Sequence, residues 1–164
     1  MSNPDGTFIY VGTYPDEASA RADYDIVKAF HAVDAVGSFD AAVVTKDADG
    51  KVHVNKDETA TRTGGWLGVG VGALVGVLFP PAILGSAVVG GVAGAVSGHL
   101  WKGMSRSDVK ELGDTIDAGE AALLVIGEIT VSEAIEKAEL HAVKETKREV
   151  DASFKELEKA IKSQ

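Results

Sequence analysis

Residues 64–101 read GGWLGVGVGALVGVLFPPAILGSAVVGGVAGAVSGHLW, without a single Asp, Glu, Lys or Arg. The small residues in this stretch are periodic. Gly64, Gly68, Gly72 and Gly76 precede Pro80-Pro81, and Ser86, Gly90, Gly94 and Gly98 follow it. Residues four apart share one face of a helix, so each half presents a stripe almost free of side chains. Two such stripes let helix backbones approach closely, the small-xxx-small mode of packing in membranes. The stretch therefore reads as a glycine-zipper helical hairpin that turns at Phe79-Pro80-Pro81-Ala82, and those small residues are its expected helix-packing and oligomerisation positions.

The flanks fit insertion into a lipid bilayer. Arg62 precedes the stretch and Lys102 and Arg106 follow it, whereas the turn is uncharged. Basic residues at the level shared by both ends place the rest of the chain on the cytoplasmic side. Trp66 and Trp101 fall at that level too, as aromatic anchors do, so Arg62, Trp66, Trp101 and Lys102 are the expected interfacial anchors. As helices the arms would be about 22 Å and about 30 Å long, against a hydrocarbon core of about 30 Å. The second arm is long enough to span and the first is short. A second setting, a protein core shared by several subunits, is equally physical. Each interior glycine costs about 1 kcal/mol relative to alanine in a helix, and close packing offsets that cost in either setting. A soluble monomer would expose too large an apolar patch.

Upstream, Thr7–Thr13 is a β-branched and aromatic run between turn residues and reads as a strand. Asp16 suits a helix N-cap, with Glu17 in the first turn. From Ala18 to about Val36, Ala22, Ile26, Phe30 and Val33 step by three or four and predict the buried face of a helix stopped by Gly37. Phe39–Thr45 is a second strand. Asp47-Ala48-Asp49-Gly50 is a hairpin turn, and Lys51–Asn55 returns with Val52 and Val54 inward and His53 outward.

Downstream, Ser105-Arg106-Ser107-Asp108 resembles a capping box. It opens a short helix buried through Val109, Leu112 and Ile116 and closed near Gly119. Ala121–Ile126 lacks alternation and reads as a central strand buried on both faces. Thr130-Val131-Ser132-Glu133 is a second capping box. It predicts one long amphipathic helix running almost to Gln164, with Val131, Ile135, Ala138, Ala142, Val150, Phe154, Leu157 and Ile161 on its apolar side.

With the hairpin set aside, the order is strand, helix, strand, strand, helix, strand, helix. The expected fold class is α+β: a ferredoxin-like split βαβ sandwich interrupted by the glycine-zipper hairpin, plus a long C-terminal helix. The segments are 5–56 and 105–129 for the two halves of the sheet domain, 63–102 for the hairpin and 130–164 for the helix.

The formal net charge of −9 argues against nucleic acid as a partner, since a phosphate backbone demands clustered Lys and Arg. The absence of cysteine excludes disulfides, thiolate metal sites and thiol catalysis. The first residues lack a basic region and an apolar run, so no signal peptide is expected. His31, His53, His99 and His141 share no metal-ligand spacing. His99, beside Trp101, reads as an interfacial residue. Asp23, Asp25, Asp47 and Asp49 form pairs, but the last two sit in a turn too short for a calcium loop, and all four read as solvated surface. Gly68-Val69-Gly70-Val71-Gly72 lacks the Gly-Lys-Ser/Thr of a phosphate loop. No catalytic, cofactor-binding or metal residue is expected.

The segments FIYVGTYPDEASA, AAVVTKDADGKVHV and DVKELGDTIDAGEAALLVIG, with the hairpin around Phe79-Pro80-Pro81, resemble a family of bacterial proteins labelled predicted membrane proteins of unknown function. The resemblance spans residues 5–140. It implies a ferredoxin-like domain interrupted by a glycine-zipper hairpin and a stress-related or envelope-associated setting, and it supplies no catalytic residues. The functional expectation is a non-enzymatic structural or interaction protein that associates with itself and with a lipid bilayer. Its sheet domain would be cytoplasmic. The alternatives are a cytoplasmic self-assembling cage, ring or filament and a small-molecule sensor using the sheet domain.

Overall fold

The strand Ala121–Glu128 is the axis of the fold. Its first seven residues are buried, and it is hydrogen-bonded along both edges. A seven-residue apolar run with no alternation, Ala121–Gly127, is satisfied between two neighbouring strands and two covered faces. The computed structural model describes residues 5–32, 37, 39–55, 74–75, 77–79, 100, 102–117 and 119–162.

In chain order the elements are β1 (Thr7–Tyr14), α1 (Glu17–Lys28), a 3-10 turn (Ala29–Ala32), β2 (Phe39–Lys46), β3 (Val52–Asn55), α2 (Arg106–Asp114), β4 (Ala121–Glu128), α3 (Thr130–Ala138), β5 (Lys144–Val150) and α4 (Phe154–Lys162). The sheet order is β3-β2-β4-β1-β5, and every pairing is antiparallel. Tyr10 stands opposite Val125 on one side and Lys147 on the other. The described chain is thus an α+β protein with one five-stranded antiparallel sheet.

Alternation along the strands divides the apolar residues between two layers. On one face Phe8, Tyr10, Tyr14, Phe39, Ala41, Val43, Leu123 and Val125 pack against Ala20, Tyr24 and Val27 of α1 and Val131 and Ile135 of α3. On the other face Ile9, Val11, Ala42, Val44, Leu124 and Ile126 pack against Leu112 and Ile116 at α2 and Phe154 and Leu157 of α4. That second layer also holds Leu74, Val75, Val77, Leu78, Phe79, Leu100 and Met104, all from within or just after the glycine-rich stretch.

Several local expectations are met. Asp16 caps α1 by accepting from the Ser19 N–H at 2.8 Å. Ser105 and Asp108 form the reciprocal capping box at α2. Gly50 takes the left-handed backbone its turn requires, at φ 83°, whereas α2 is closed at Thr115 and Gly119, at φ 87°, belongs to the turn before β4.

Three expectations are corrected. The buried face of α1 is Ala20, Asp23, Tyr24 and Val27, not Ala22 and Ile26, while Phe30, in the 3-10 turn, packs partly buried against the same layer as expected. Ile26 is 37% exposed, because the neighbouring stripe carries the larger Tyr24 and a carboxylate with partners inside. The capping box at Thr130 does not form. Ile129 is the N-cap, and the Ser132 hydroxyl donates to the Ile129 carbonyl at 2.7 Å.

The single helix expected over 130–164 is three elements. Glu139, in left-handed backbone at φ 49°, closes α3. Lys144–Val150 then pairs with β1 over its whole length, and α4 follows. The charged composition of β5 favours a helix intrinsically. The outer edge of β1, buried on both faces, instead needs a partner for its peptide groups, and a charged strand suits the rim of a sheet. The hairpin positions Gly64, Gly68, Gly72, Gly76, Ser86, Gly90, Gly94 and Gly98 and the anchors Arg62, Trp66 and Trp101 lie outside the described residues. Lys102 is described and exposed.

Candidate functional site

Tyr10, Gly12 and Tyr14 alternate along β1 and share the face covered by α1 and α3. Gly12 is required there, since a Cβ would overlap the hydroxyl end of Tyr10. The Tyr10 ring therefore lies across the glycine, running toward Tyr14. The Tyr14 hydroxyl donates to Asp23 Oδ2 at 2.6 Å. Asp23 sits between Ala20 and Val27 on the buried face of α1.

A carboxylate buried in an apolar layer must be matched by donors, and here they come from far along the chain. The His141 backbone N–H donates to Asp23 Oδ2 at 2.6 Å, and the His141 ring meets Oδ1 through Nδ1 at 2.8 Å. A carboxylate only accepts, so Nδ1 carries the proton and Nε2 is left for solvent. The Asp23 side chain is 1% exposed and that of His141 is 75% exposed.

The phenols respond to this setting. Burial, then the hydrogen bond to Asp23, pushes the Tyr14 hydroxyl well above its ordinary pKa of 10.0. Tyr10 is pushed upward too, chiefly by burial. Its hydroxyl, near Tyr14 and Glu145, and that of Thr13 are buried without a hydrogen bond of ordinary geometry. A buried acid behind an exposed imidazole is an arrangement that fixes the ring's tautomer. It also ties α1 to the segment leading into β5, where the Val143 N–H donates to the Thr13 carbonyl at 2.8 Å.

On the opposite face, α2 and β5 enclose an open polar groove of about 560 Å³ lined by Lys110, Glu111, Asp114, Thr115, Thr146 and Arg148, among others. Its charges are mutually satisfied. Arg148 pairs with Glu111 and, at 3.6 Å, with Asp108. Lys144 meets Asp117 at 3.0 Å, which raises its pKa. The Thr115 and Thr146 hydroxyls lie 2.7 Å apart at the helix–strand contact.

The same face carries the second notable feature, the seating of the apolar stretch. Leu74, Val75, Val77 and Leu78 are helical, and the Phe79 N–H donates to the Val75 carbonyl at 3.0 Å. Gly113 of α2 lets the Leu78 carbonyl come close, since a Cβ there would stand 3.0 Å from that oxygen. At the far end of the stretch, Gly103 lies flush on the backbone of Ala152, and the Asp151 N–H donates to the Gly103 carbonyl at 3.1 Å.

Sequence reasoning missed Tyr10, Tyr14 and Asp23 as a unit, read the buried Asp23 as solvated surface and placed His141 on a helix. The available signal was an aspartate on the same helical stripe as Ala20 and Val27 together with two tyrosines four apart on a strand. Among the described residues no group of His, Asp and Glu gathers as a metal site. No helix among them is long and apolar enough to cross a membrane.

The described residues thus hold a buried Tyr14–Asp23–His141 cluster on one face of the sheet and apolar residues of the glycine-rich stretch on the other. The chain belongs to DUF1269, a family of proteins of unknown function, whose model matches residues 66–162. The matched region runs from the glycine-rich stretch through α4. Neither the curated proteins nor the solved structures provide a significant match.

Proposed function

We propose that this protein is a non-enzymatic interaction protein that associates with copies of itself through a glycine-zipper hairpin carried on a ferredoxin-like sheet domain. In this reading β5-β1-β4-β2 is the ferredoxin-like core, with α1 and α3 as its two helices on one face and β3 added at the rim. The observation that carries the proposal is the seating of the stretch: Leu74, Val75, Val77, Leu78, Phe79, Leu100 and Met104 are buried in the sheet's own apolar layer. These seven residues are thereby held on a folded platform, and chain that is ordered before copies meet loses less entropy on association. The uncharged stretch and its basic flanks favour a bilayer as the setting, with the sheet domain on the cytoplasmic side.

A second reading, soluble self-assembly, is favoured by one position. Phe79, at the expected tip of the hairpin, is 4% exposed and belongs to the same layer as Ile9 and Val11, whereas the tip of a spanning hairpin stands away from its domain. The test is the paired substitution Gly72→Leu with Gly94→Leu, followed by light scattering on the full chain and by alkaline extraction of membranes. The parent should be oligomeric and the variant a folded monomer. Unchanged oligomer size in the variant would refute self-association through the glycine stripes, and complete alkaline release of the parent would select the soluble reading.

A further inference from the structure

The segment Leu74–Phe79 occupies a place on the sheet that backbone contacts define closely. Its Leu78 carbonyl approaches Gly113 of α2, its side chains lie in one layer with Ile9, Val11, Leu124 and Ile126, and it bears no charge. Seven residues from the stretch and its exit are buried there, at 0–9% exposure. None of these apolar side chains asks its cover for a directional bond. The sheet satisfies the hydrophobic requirement, and so does hydrocarbon. We propose that Leu74–Phe79 is an exchangeable cover: it is seated on the sheet in water and passes into the outer hydrocarbon of a neutral, zwitterionic lipid surface when one is present. This rests on the bilayer setting of the proposed function and adds the switch between two states.

The exchange is self-limiting in water. Lifting the segment off uncovers two apolar surfaces at once, the segment and the sheet face beneath it, and water covers neither, whereas a lipid surface covers both. The net charge of −9 directs the protein to zwitterionic rather than anionic lipid, because like charge repels within a Debye length. Gly113 sets the balance. A side chain at that position pushes directly on the Leu78 carbonyl and weakens the seated state without touching the segment's own apolar surface.

The test uses the full chain with Trp66→Phe, Trp101→Phe and Phe79→Trp, so that one indole reports from position 79, and vesicles of phosphatidylcholine with or without bromine on the acyl chains. The expected result is flotation with the vesicles, strong bromine quenching of the indole, and about a tenfold lower lipid requirement when Gly113→Leu is added. Circular dichroism and a thermal melt establish that each variant is folded, and the quenching measurement in the Gly113 parent stands even where Gly113→Leu does not fold. Flotation with an unquenched indole would overturn the exchange and leave the bilayer setting intact. Absence of flotation from all folded variants would overturn both.

Discussion

Replacing Asp23 with alanine removes the acceptor on which three donors converge, and its cost can be worked from the geometry. The Tyr14 hydroxyl, 2.6 Å from Oδ2, belongs to a side chain that is 1% exposed, so it has no water to turn to. An unsatisfied buried donor costs about 1–3 kcal/mol. The His141 ring, 75% exposed, regains solvent on losing its partner and adds little. The backbone N–H of His141 adds part of a further bond, and relief of the buried charge works the other way. The sum is a destabilisation of about 2–4 kcal/mol. A protein of this size is typically stable by roughly 5–15 kcal/mol, so the loss is large but leaves a folded variant. Urea unfolding followed by circular dichroism should show a lower midpoint with an unchanged slope. In a double-mutant cycle with Tyr14→Phe, the two losses should fail to add by about 1–2 kcal/mol. An Asp23→Ala variant within about 0.5 kcal/mol of the parent, the range of ordinary surface substitutions, would refute the claim that this carboxylate holds α1 to β1 and the approach to β5.

Two further outcomes follow from the same layer. Gly12→Ala places a Cβ against the Tyr10 hydroxyl end and should destabilise by about 1–3 kcal/mol, as overpacking of a core does; an unchanged urea midpoint would contradict the described position of that ring. The fold holds the Tyr10 and Tyr14 phenols neutral, with pKa values raised above 10.0, so their contribution is complete below that pH. As pH rises past it, the unfolded chain releases protons that the fold retains, and stability falls by about 1.4 kcal/mol per pH unit for each phenol. Absorbance of phenolate at alkaline pH should therefore appear together with loss of circular dichroism, and ionisation of these tyrosines near pH 10 in a folded chain would contradict their burial.

Legibility of the fold in the sequence depended on whether its determinants were local. β1, β2, β3 and β4 are apolar or alternating runs bounded by turn residues, and α2 announces itself through Ser105 and Asp108; all of these lie where the local reading puts them. The face of α1 was not legible, because Ala20–Tyr24–Val27 and Ala22–Ile26 are rival stripes. What decides between them is a donor on β1 and another more than a hundred residues away at His141. β5 was hidden for a similar reason. Lys144-Glu145-Thr146-Lys147-Arg148-Glu149 has helix-forming composition, and only the open edge of β1 makes it a strand. The Tyr14–Asp23–His141 cluster joins a strand, a helix and the loop before β5 and has no spacing signature. The apolar stretch could be recognised, but not the surface that receives Leu74–Phe79, since Gly113 and Ala152 become neighbours of it only in the folded sheet domain.

The seating of that stretch is tested most directly by amide hydrogen exchange of the full chain in detergent-free, lipid-free buffer. The amides of Leu78 and Phe79 should exchange orders of magnitude more slowly than those of a free chain and lose protection together with β4 as denaturant is added. Exchange of those amides at free-chain rates while β4 remains protected would contradict that seating.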